Sequence, residues 1–193
     1  MKKTPLLLAT ALILTGITSI KAHATTASGY AGTGDASVTL TAGSLNFVQV
    51  PDFDFGSHPL ASSLTGLDQG VPVTSNLIVD DYRGLPKDAA GSGYTVTANV
   101  VNGTKGFSGL ANGGILETSD VSVALGDSED GTLVGVPASK LDQTANTIAH
   151  GTEGTALGTE ETVGGTASIS IANSSVFADK YTATINYTLV AGV

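Results

Sequence analysis

The residues of this chain that could do acid–base or nucleophilic chemistry are few and widely spaced. Beyond the N-terminal apolar segment the histidines are His58 and His150, and both lie in sequence typical of exposed loops. A serine hydrolase presents its nucleophile in a Gly-x-Ser-x-Gly turn, and the nearest sequence, residues 106–110, lacks the closing glycine. The chain has no cysteine, no His-Glu-x-x-His pair and no glycine-rich phosphate motif. We therefore expect no catalytic residues, no metal and no cofactor.

Clustered carboxylates offer two further kinds of chemistry, because glycosidases use a pair of carboxyl groups and calcium sites use several oxygen ligands. Acidic residues are paired or clustered at Asp52/Asp54, Asp80/Asp81, Asp127/Glu129/Asp130 and Glu160/Glu161. No apolar segment around a pair indicates the raised pKa that a catalytic acid needs. Calcium is the better of the two alternatives, at the turn of residues 127–131, although the spacing differs from an EF-hand. The favoured interpretation is a solvated acidic turn.

Residues 1–24 predict a secretory signal peptide. Lys2 and Lys3 precede an apolar segment over residues 5–20, and a small-residue cleavage site follows at residues 22–24. We expect export and cleavage after Ala24, and a flexible leader over residues 25–37, whose small polar residues bury little apolar surface. No later segment is apolar enough to span a membrane. Without a cysteine or a Leu-Pro-x-Thr-Gly signal, we expect neither a lipid anchor nor covalent attachment to the wall.

The charge of the chain argues against nucleic acid as a partner. The formal net charge is −9 at pH 7, and the exported form is more acidic still because Lys2, Lys3 and Lys21 lie in the signal peptide. The remaining basic residues are scattered: Arg83, Lys87, Lys105, Lys140 and Lys180. Phosphate binding relies on clustered Lys and Arg, so nucleic acid and anionic membrane surfaces are both disfavoured.

Short β-strands separated by glycine-rich turns are the predicted elements of residues 38–193. Strand-like segments lie at 38–41, 45–50, 76–79, 94–101, 121–125, 167–171 and 181–190, with shorter ones at 115–117 and 133–136. No long segment has helical periodicity, so no helices are expected to cover parallel connections. The pattern predicts one all-β domain, an antiparallel β-sandwich of two sheets with long Gly/Thr-rich loops.

Two connections carry specific expectations. Asn102-Gly103 can adopt the positive φ angles of a type I′ turn, so it predicts a hairpin that returns through residues 104–107, and Asn112-Gly113-Gly114 repeats the pattern before Ile115. Residues 127–165 are rich in Gly, Thr and acidic side chains, and they predict one long mobile surface loop. A binding loop is the alternative for that segment.

Two short motifs, Tyr94-Thr95-Val96 and Tyr187-Thr188-Leu189, repeat an aromatic residue, a threonine and an aliphatic residue. Three other segments accompany them in order along the chain: residues 45–56, residues 77–84 with Asp81-Tyr82-Arg83, and residues 181–184. From about residue 38 to residue 190 this arrangement resembles the WxL domain, a surface module of Gram-positive bacteria, with tyrosine in place of both motif tryptophans. The resemblance implies a β-sandwich that binds peptidoglycan and takes part in surface-protein assemblies.

Aromatic rings that pack against the C–H faces of sugars are the side chains expected at a wall contact, because they combine an apolar face with a polar group. Strand alternation places Tyr94 and Tyr187 on apolar faces, so we expect both to be core or core-edge residues. Tyr82 and Arg83 fall outside the alternation and are the better exposed candidates. From the resemblance, Tyr82, Arg83, Tyr94 and Tyr187 together are the predicted peptidoglycan-binding residues.

The sequence thus predicts a secreted, non-catalytic protein held non-covalently on the Gram-positive cell wall, with peptidoglycan or another wall glycan as its partner and other surface proteins as further partners. One alternative is a structural subunit that assembles by strand addition, with the leader or an exposed edge as donor. A second alternative is a wall-active enzyme that uses a carboxylate pair.

Overall fold

A computed structural model describes residues 36–60, 70–86, 89–141, 144–152, 158–172 and 176–192. The predicted signal peptide and leader residues 25–35 lie outside the described residues. Residues 36–40 are exposed and have no regular structure, so the strand predicted at 38–41 is wrong. The chain from Thr41 onward forms one compact unit. Its described residues contain strands and no α-helix, which confirms the all-β, antiparallel sandwich class.

The strands, numbered along the chain, pair in four antiparallel sheets. The first sheet has the order β1 (Leu45–Gln49), β3 (Ile78–Asp81), β11 (Gly158–Glu161). The second has the order β14 (Ile185–Ala191), β4 (Tyr94–Val100), β10 (Asn146–Gly151), β8 (Leu133–Gly135). The third has the order β2 (Val71–Pro72), β12 (Gly165–Ile171), β7 (Thr118–Leu125), β9 (Ser139–Lys140). The fourth has the order β13 (Tyr181–Thr182), β5 (Phe107–Gly109), β6 (Ile115–Leu116).

Alternation along the strands builds the hydrophobic core. In β4 every second residue is buried, and β7 repeats that pattern over its second half. The inward residues of these strands join one cluster that includes Tyr94, Val96, Ala98, Val100, Val121, Val123, Leu125, Leu133, Ile148 and Ile169. Each such aliphatic side chain contributes ~1.5–3 kcal/mol when it leaves water, so the cluster holds the sheets together without disulfides.

Leu141 joins the second and third sheets at one corner. Its carbonyl accepts a 2.7 Å hydrogen bond from the amide of Val100 in β4, and its own amide donates a 2.7 Å bond to the carbonyl of Val121 in β7. The side chain is fully buried. One residue therefore bonds backbone groups of both sheets.

Two predicted connections differ from the structure. Asn102 and Gly103 both have positive φ angles, as predicted, but the chain then enters a short 3-10 helix, Gly103–Lys105, instead of a hairpin strand. β4 pairs with β14 and β10, whereas β5 pairs with β6 and β13. The turn at residues 112–114 does connect a hairpin, because β5 and β6 are antiparallel neighbours.

The long loop predicted for residues 127–165 is wrong. The described parts of this segment contain β8, β9, β10 and β11. Three of its apolar residues, Leu133, Leu141 and Ile148, are fully buried, whereas Val163 is 58% exposed. The composition concealed these strands because Gly has a low strand propensity, and the strands form here by pairing with neighbours such as β3 and β4.

The last predicted strand is divided in two. β13 pairs with β5, and β14 pairs with β4 from Ile185 to Ala191. The inward and outward faces predicted by alternation are confirmed across both pieces, since Tyr187 and Leu189 are partly buried while Asn186 and Thr188 are exposed.

The described residues contain no helix that is long and apolar enough to cross a membrane.

Candidate functional site

The first sheet carries the candidate site because its outer face is polar and its inner face, which places Val79 in the core, also buries polar side chains. Alternation sends Asp80 and Tyr82 to the outside and Asp81 and Arg83 to the inside of the same chain segment. We call the outer face the set of Asn46, Asp80, Tyr82, Thr159 and Glu161. We call the inner cluster the set of Asp81, Arg83, Tyr94 and Glu160.

The outer face is a row of hydrogen-bonding groups beside an exposed aromatic ring. The strand register aligns Asn46, Asp80 and Thr159 across β1, β3 and β11. The Thr159 hydroxyl donates to Oδ1 of Asp80, and the Tyr82 hydroxyl lies 3.4 Å from Oγ1 of Thr159. Tyr82 is 49% exposed, as the sequence predicts. The row therefore presents amide, carboxylate and hydroxyl groups to solvent next to one ring face.

The backbone before β1 holds Tyr82 in place. The amide of Tyr82 donates to the carbonyl of Ser44 at 3.0 Å, and the amide of Gly43 donates to the carbonyl of Tyr82 at 2.7 Å. A Cβ at position 43 would lie 2.7 Å from the Cβ of Tyr82, closer than real Cβ contacts allow. The glycine thus permits an approach that continues the sheet and fixes the direction of the ring.

An acidic groove of about 530 Å³ begins at Thr159 and runs along the end of β11. Its carboxylates come from the end of β11 and from the turn that precedes β8: Glu129, Asp130, Glu160 and Glu161. Asn76 also lines the groove, and its Nδ2 donates to Oε1 of Glu161 at 2.7 Å. None of the groove residues is basic.

The turn at residues 127–131 uses its carboxylates to hold its own shape. Asp130 Oδ1 accepts from the Ser128 hydroxyl and from the amide and hydroxyl of Thr132. These bonds, the Thr132 hydroxyl first, lower the pKa of Asp130 to about 2. Asp127 Oδ1 accepts from the amide of Gly135 at 2.9 Å. Across the described ranges, no group of three or more His, Asp and Glu side chains is arranged to hold a metal.

Arg83 belongs to the interior, so the prediction that it is exposed is wrong. Its side chain is 14% exposed, and it pairs with Asp81 through Nε to Oδ1 at 2.9 Å and Nη2 to Oδ2 at 2.6 Å. The remaining guanidinium hydrogens reach the carbonyls of Gly91, Ser92 and Gly93. The planar fork suits these converging acceptors, so Arg83 clamps the segment that leads into β4.

Tyr94 is a buried member of the inner cluster. It is fully buried, and its hydroxyl donates to Oε2 of Glu160 at 2.6 Å. The ring lies over Gly151 of the neighbouring strand β10, where any Cβ would overlap a ring carbon. Burial, followed by the bond to Glu160, raises the pKa of the Tyr94 hydroxyl far above its usual value. The expectation that Tyr94 is a core residue is confirmed.

Glu160 is 6% exposed, and while its Oε2 is bonded to Tyr94, its Oε1 has no hydrogen-bond partner among the described residues. Burial raises the pKa of this carboxyl, and the negative charges of Asp130 and Asp81 act in the same direction. The inner cluster therefore contains a buried carboxyl group with a raised pKa beside the ion pair of Asp81 and Arg83.

Tyr187 takes a core-edge position, as the sequence predicts. Its hydroxyl donates to the carbonyl of Pro51 at 2.6 Å, which ties β14 to the segment that follows β1. Burial raises the pKa of the Tyr187 hydroxyl, and the charge of Asp52 adds to the effect. Of the four predicted binding residues, Tyr82 is thus the one whose side chain is largely open to solvent.

Neither His58 nor His150 belongs to the outer face or the inner cluster. His58 is exposed, and its Nε2 lies 2.6 Å from the carbonyl of Phe55. His150 is part of β10 and pairs with Thr95 and Val134, so its predicted loop position is wrong.

The sequence did not identify Asn46 or Thr159 as site residues, and it identified Glu161 only as a member of an acidic pair. One available signal was the period of two, which places Asp80 and Tyr82 on one face of β3. The strands that bring Asn46 and Thr159 alongside are separated from β3 by long stretches of chain, and no local pattern identifies them.

The fold and this site define an antiparallel all-β protein with an exposed polar face next to an acidic groove. Comparisons with protein-family models, with curated proteins and with solved structures found no match. The resemblance to the WxL domain stays a prediction that rests on the motifs.

Proposed function

We propose that this chain is a secreted, non-catalytic protein that associates non-covalently with the Gram-positive cell wall by binding peptidoglycan or another wall glycan. The observation that carries the proposal is the exposed ring of Tyr82 beside the aligned row of Asn46, Asp80 and Thr159. The predicted signal peptide and the resemblance to the WxL domain support the proposed cellular location.

The outer face has the chemistry that sugar recognition uses. A tyrosine ring offers an apolar face to the C–H groups of a pyranose, and carboxylate, amide and hydroxyl groups bond its hydroxyls. Adjacent strands lie about 4.8 Å apart, so a row across three strands spans about 10 Å and can follow consecutive sugar units of a polymer. Because these groups sit on paired strands, they are held in place before the ligand arrives.

Support for a non-catalytic role comes from the positions of the candidate bases. The His58 ring nitrogen contacts the carbonyl of Phe55, and His150 lies on a strand of the second sheet. On the outer face, Asp80 accepts a bond from Thr159, so the row is built for hydrogen bonding and offers no activated nucleophile.

Co-sedimentation of the exported form, residues 25–193, with purified peptidoglycan at low and high salt tests this proposal. We expect binding at both, since ring packing and neutral hydrogen bonds are weakly screened. Tyr82→Ala is expected to weaken binding by about tenfold. The matched control is Phe177→Ala, which removes another exposed ring, 66% exposed, outside the outer face.

If the protein fails to co-sediment at both salt concentrations, wall binding is contradicted. Loss of turbidity of purified walls on incubation with the protein would contradict the non-catalytic assignment. Equal weakening by Tyr82→Ala and Phe177→Ala would remove the outer face as the contact.

A second candidate function is a structural subunit that joins copies of the chain by strand addition. The favouring observation is the segment around Val38 and Leu40, whose aliphatic side chains are 84% and 89% exposed. Such a segment has the composition of a strand that lacks a partner. Light scattering tests it: a Val38→Lys, Leu40→Lys double variant should abolish oligomers that a Thr39→Lys, Thr41→Lys control retains.

A further inference from the structure

The strand β14 ends the second sheet and pairs with β4 alone. The carbonyl of Thr184 accepts from the amide of Val101 at 2.8 Å, and the amide of Gly192 donates to the carbonyl of Gly93 at 3.0 Å. Even-numbered residues from 184 to 192 therefore direct their backbone groups toward β4, because these directions alternate along an antiparallel strand. The odd-numbered residues direct theirs to the other side: Ile185, Tyr187, Leu189 and Ala191. Among the described residues, no backbone group bonds to this second row.

β14 lacks the features that usually protect an edge strand from pairing with another chain, which are short length, charges, prolines and bulges. The other edge strands that the structure describes have such features. β1 has a register shift after Phe47, β11 carries Glu160 and Glu161, β8 has three residues, and β2, β6, β9 and β13 have two each. β14 has seven residues with no charge, no proline and no register shift. It is therefore the edge most open to an added strand.

The core is incompletely covered along β14. The inward residues Val96 and Ala98 of β4 are at most 1% exposed. Their partners across the ladder, Leu189 and Tyr187, are only partly buried, and so is Ile185 at the start of β14. A further strand beside β14 would place its inward side chains against these residues and extend the core by one strand.

Residues 37–41 have the pattern of a strand that fits this position. Their sequence, Ser-Val-Thr-Leu-Thr, alternates hydroxyl side chains with two aliphatic ones and contains no charge. Val38 and Leu40 are 84% and 89% exposed. Because the period of a strand is two, pairing with β14 would bring both aliphatic side chains to the inner face and leave the hydroxyls in solvent. No charged side chain in either segment would lose water on contact.

The chain next to residues 37–41 is fixed by the first sheet. The amide of Gly43 donates to the carbonyl of Tyr82 at 2.7 Å, and the amide of Tyr82 donates to the carbonyl of Ser44 at 3.0 Å. A hairpin that returned residues 37–41 alongside β1 would need residues 42–44 for its turn, and these bonds hold two of the three in the ladder. This constraint favours a second copy of the chain as the partner of residues 37–41.

We propose that residues 37–41 of one copy add as a strand to the free edge of β14 in a second copy. The added strand bonds the backbone groups of the odd-numbered residues and covers the inner side chains of β14 with Val38 and Leu40. Donor and acceptor are different surfaces, so the contact either closes a ring of copies or extends them into a chain. The proposal rests on the second candidate function, strand addition, and names its acceptor; it is independent of wall binding.

Amide hydrogen exchange, followed residue by residue by NMR, tests the acceptor. The protein used is the exported form with Val38→Lys and Leu40→Lys, which lacks a working donor, and the probe is a synthetic peptide of residues 36–42. We expect the peptide to slow exchange at least about tenfold at the amides of the free edge: Ile185, Tyr187, Leu189 and Ala191. The amides of Asn186, Thr188 and Val190, which face β4, should change far less.

The control in this experiment is the same peptide with Val38→Lys and Leu40→Lys, which should leave exchange unchanged. If the odd-numbered amides do not slow with the natural peptide in the millimolar range, the proposal is overturned. Equal slowing of the odd-numbered and even-numbered amides also overturns it, because that result would show a general stabilisation of the fold.

Mixing two disabled variants tests the pairing between copies. Val38→Lys, Leu40→Lys disables the donor, and Ala191→Pro removes an amide of the free edge and disables the acceptor. Each variant alone should be monomeric by light scattering, whereas their equimolar mixture should form a dimer. Ala191→Ser keeps the amide and should assemble like the natural protein. A mixture that stays monomeric while the natural protein assembles overturns the proposal, once thermal unfolding has shown that Ala191→Pro is folded.

The outcomes for the acceptor and for strand addition are distinguishable. If the natural protein assembles through residues 37–41 but the odd-numbered amides of β14 exchange as before, strand addition stands and β14 is not the acceptor. If the natural protein stays monomeric in concentrated solution, strand addition itself fails and this proposal fails with it. Neither result alters the test of wall binding, which depends on Tyr82.

Discussion

The hydroxyl of Tyr94 donates a 2.6 Å hydrogen bond to Oε2 of Glu160, and this bond joins the second sheet to the first. Tyr94 starts β4, and Glu160 lies in the edge strand β11. The bond holds the inner face of the strand whose outer face carries Thr159 and Glu161. A buried hydrogen bond on the inner face of β11 therefore helps to hold the strand that carries the candidate site on its outer face.

Tyr94→Phe removes the donor of this contact and leaves Glu160 without its hydrogen bond to the second sheet. We expect a loss of about 1–3 kcal/mol in the free energy of unfolding, measured by urea denaturation. A Tyr94→Phe, Glu160→Leu double variant removes both polar partners and should recover part of the loss. Additive effects of the two substitutions would show that the hydrogen bond contributes little.

The stability of the protein should depend on pH through Glu160. Because the folded state raises the pKa of this carboxyl above its ordinary value of 4.5, it binds the proton more tightly than the unfolded chain does. The free energy of unfolding therefore falls as pH rises from about 4.5 through the folded-state pKa. Glu160→Gln cannot ionise, so its Tm advantage over the natural protein should grow as the pH rises above about 4.5.

Asp130 affects stability with the opposite pH dependence, and its effect falls below this pH range. The pKa of Asp130 is lowered to about 2, so its contribution is lost only as pH falls below its ordinary value of 3.8 toward that lowered pKa. Parallel Tm curves for Glu160→Gln and the natural protein above pH 4 would refute the role of Glu160.

Gly151→Ala should destabilise the fold because the new methyl group meets the ring of Tyr94. The added Cβ would overlap a ring carbon, and the ring is surrounded by packed core residues that prevent it from moving away. We expect a loss of about 1–3 kcal/mol in the free energy of unfolding, measured by urea denaturation. Gly114→Ala is the control, since its nearest neighbour is the Tyr181 hydroxyl at 3.5 Å and it should change stability by less than about 0.5 kcal/mol.

Arg83→Ala should cost about 3–5 kcal/mol because it leaves the buried carboxylate of Asp81 without its partner. Arg83→Lys should recover only part of this, since one ammonium group cannot bond Asp81 and the carbonyls of residues 91–93 together. For comparison, Lys105→Ala breaks an exposed pair and should cost less than about 1 kcal/mol. Thermal unfolding of the three variants measures the order of these stability losses. Equal losses for all three would contradict the role of Arg83 as a clamp.

Local pattern was sufficient to predict the faces of the strands. Tyr94 and Val96 in β4, and Tyr187 and Leu189 in β14, point inward as the alternation indicates. Alternation depends only on the pleat of an extended chain, so the sequence predicts it wherever polar and apolar residues alternate. The composition likewise predicted the all-β class and the hairpin turn at residues 112–114.

Strand partners and the burial of polar side chains could not be predicted in this way. Asn102 and Gly103 have the angles of a hairpin turn, yet β5 pairs with β13 instead of β4. The strands within residues 127–165 have few apolar residues, and their pairing depends on neighbours from elsewhere in the chain.

By itself the sequence determined which strand residues alternate, and hence that Tyr94 and Tyr187 lie on apolar faces, but it predicted Tyr82 and Arg83 to be exposed alike. The tertiary structure decided which residues contact each face of a strand. Arg83 lies inside because it bonds Asp81 and three backbone carbonyls. Asn46 and Thr159 lie beside Asp80 on the neighbouring strands and form the outer face with it. The physical reason is that alternation is a property of one strand, whereas hydrogen-bond partners and desolvation depend on strands far apart in the chain.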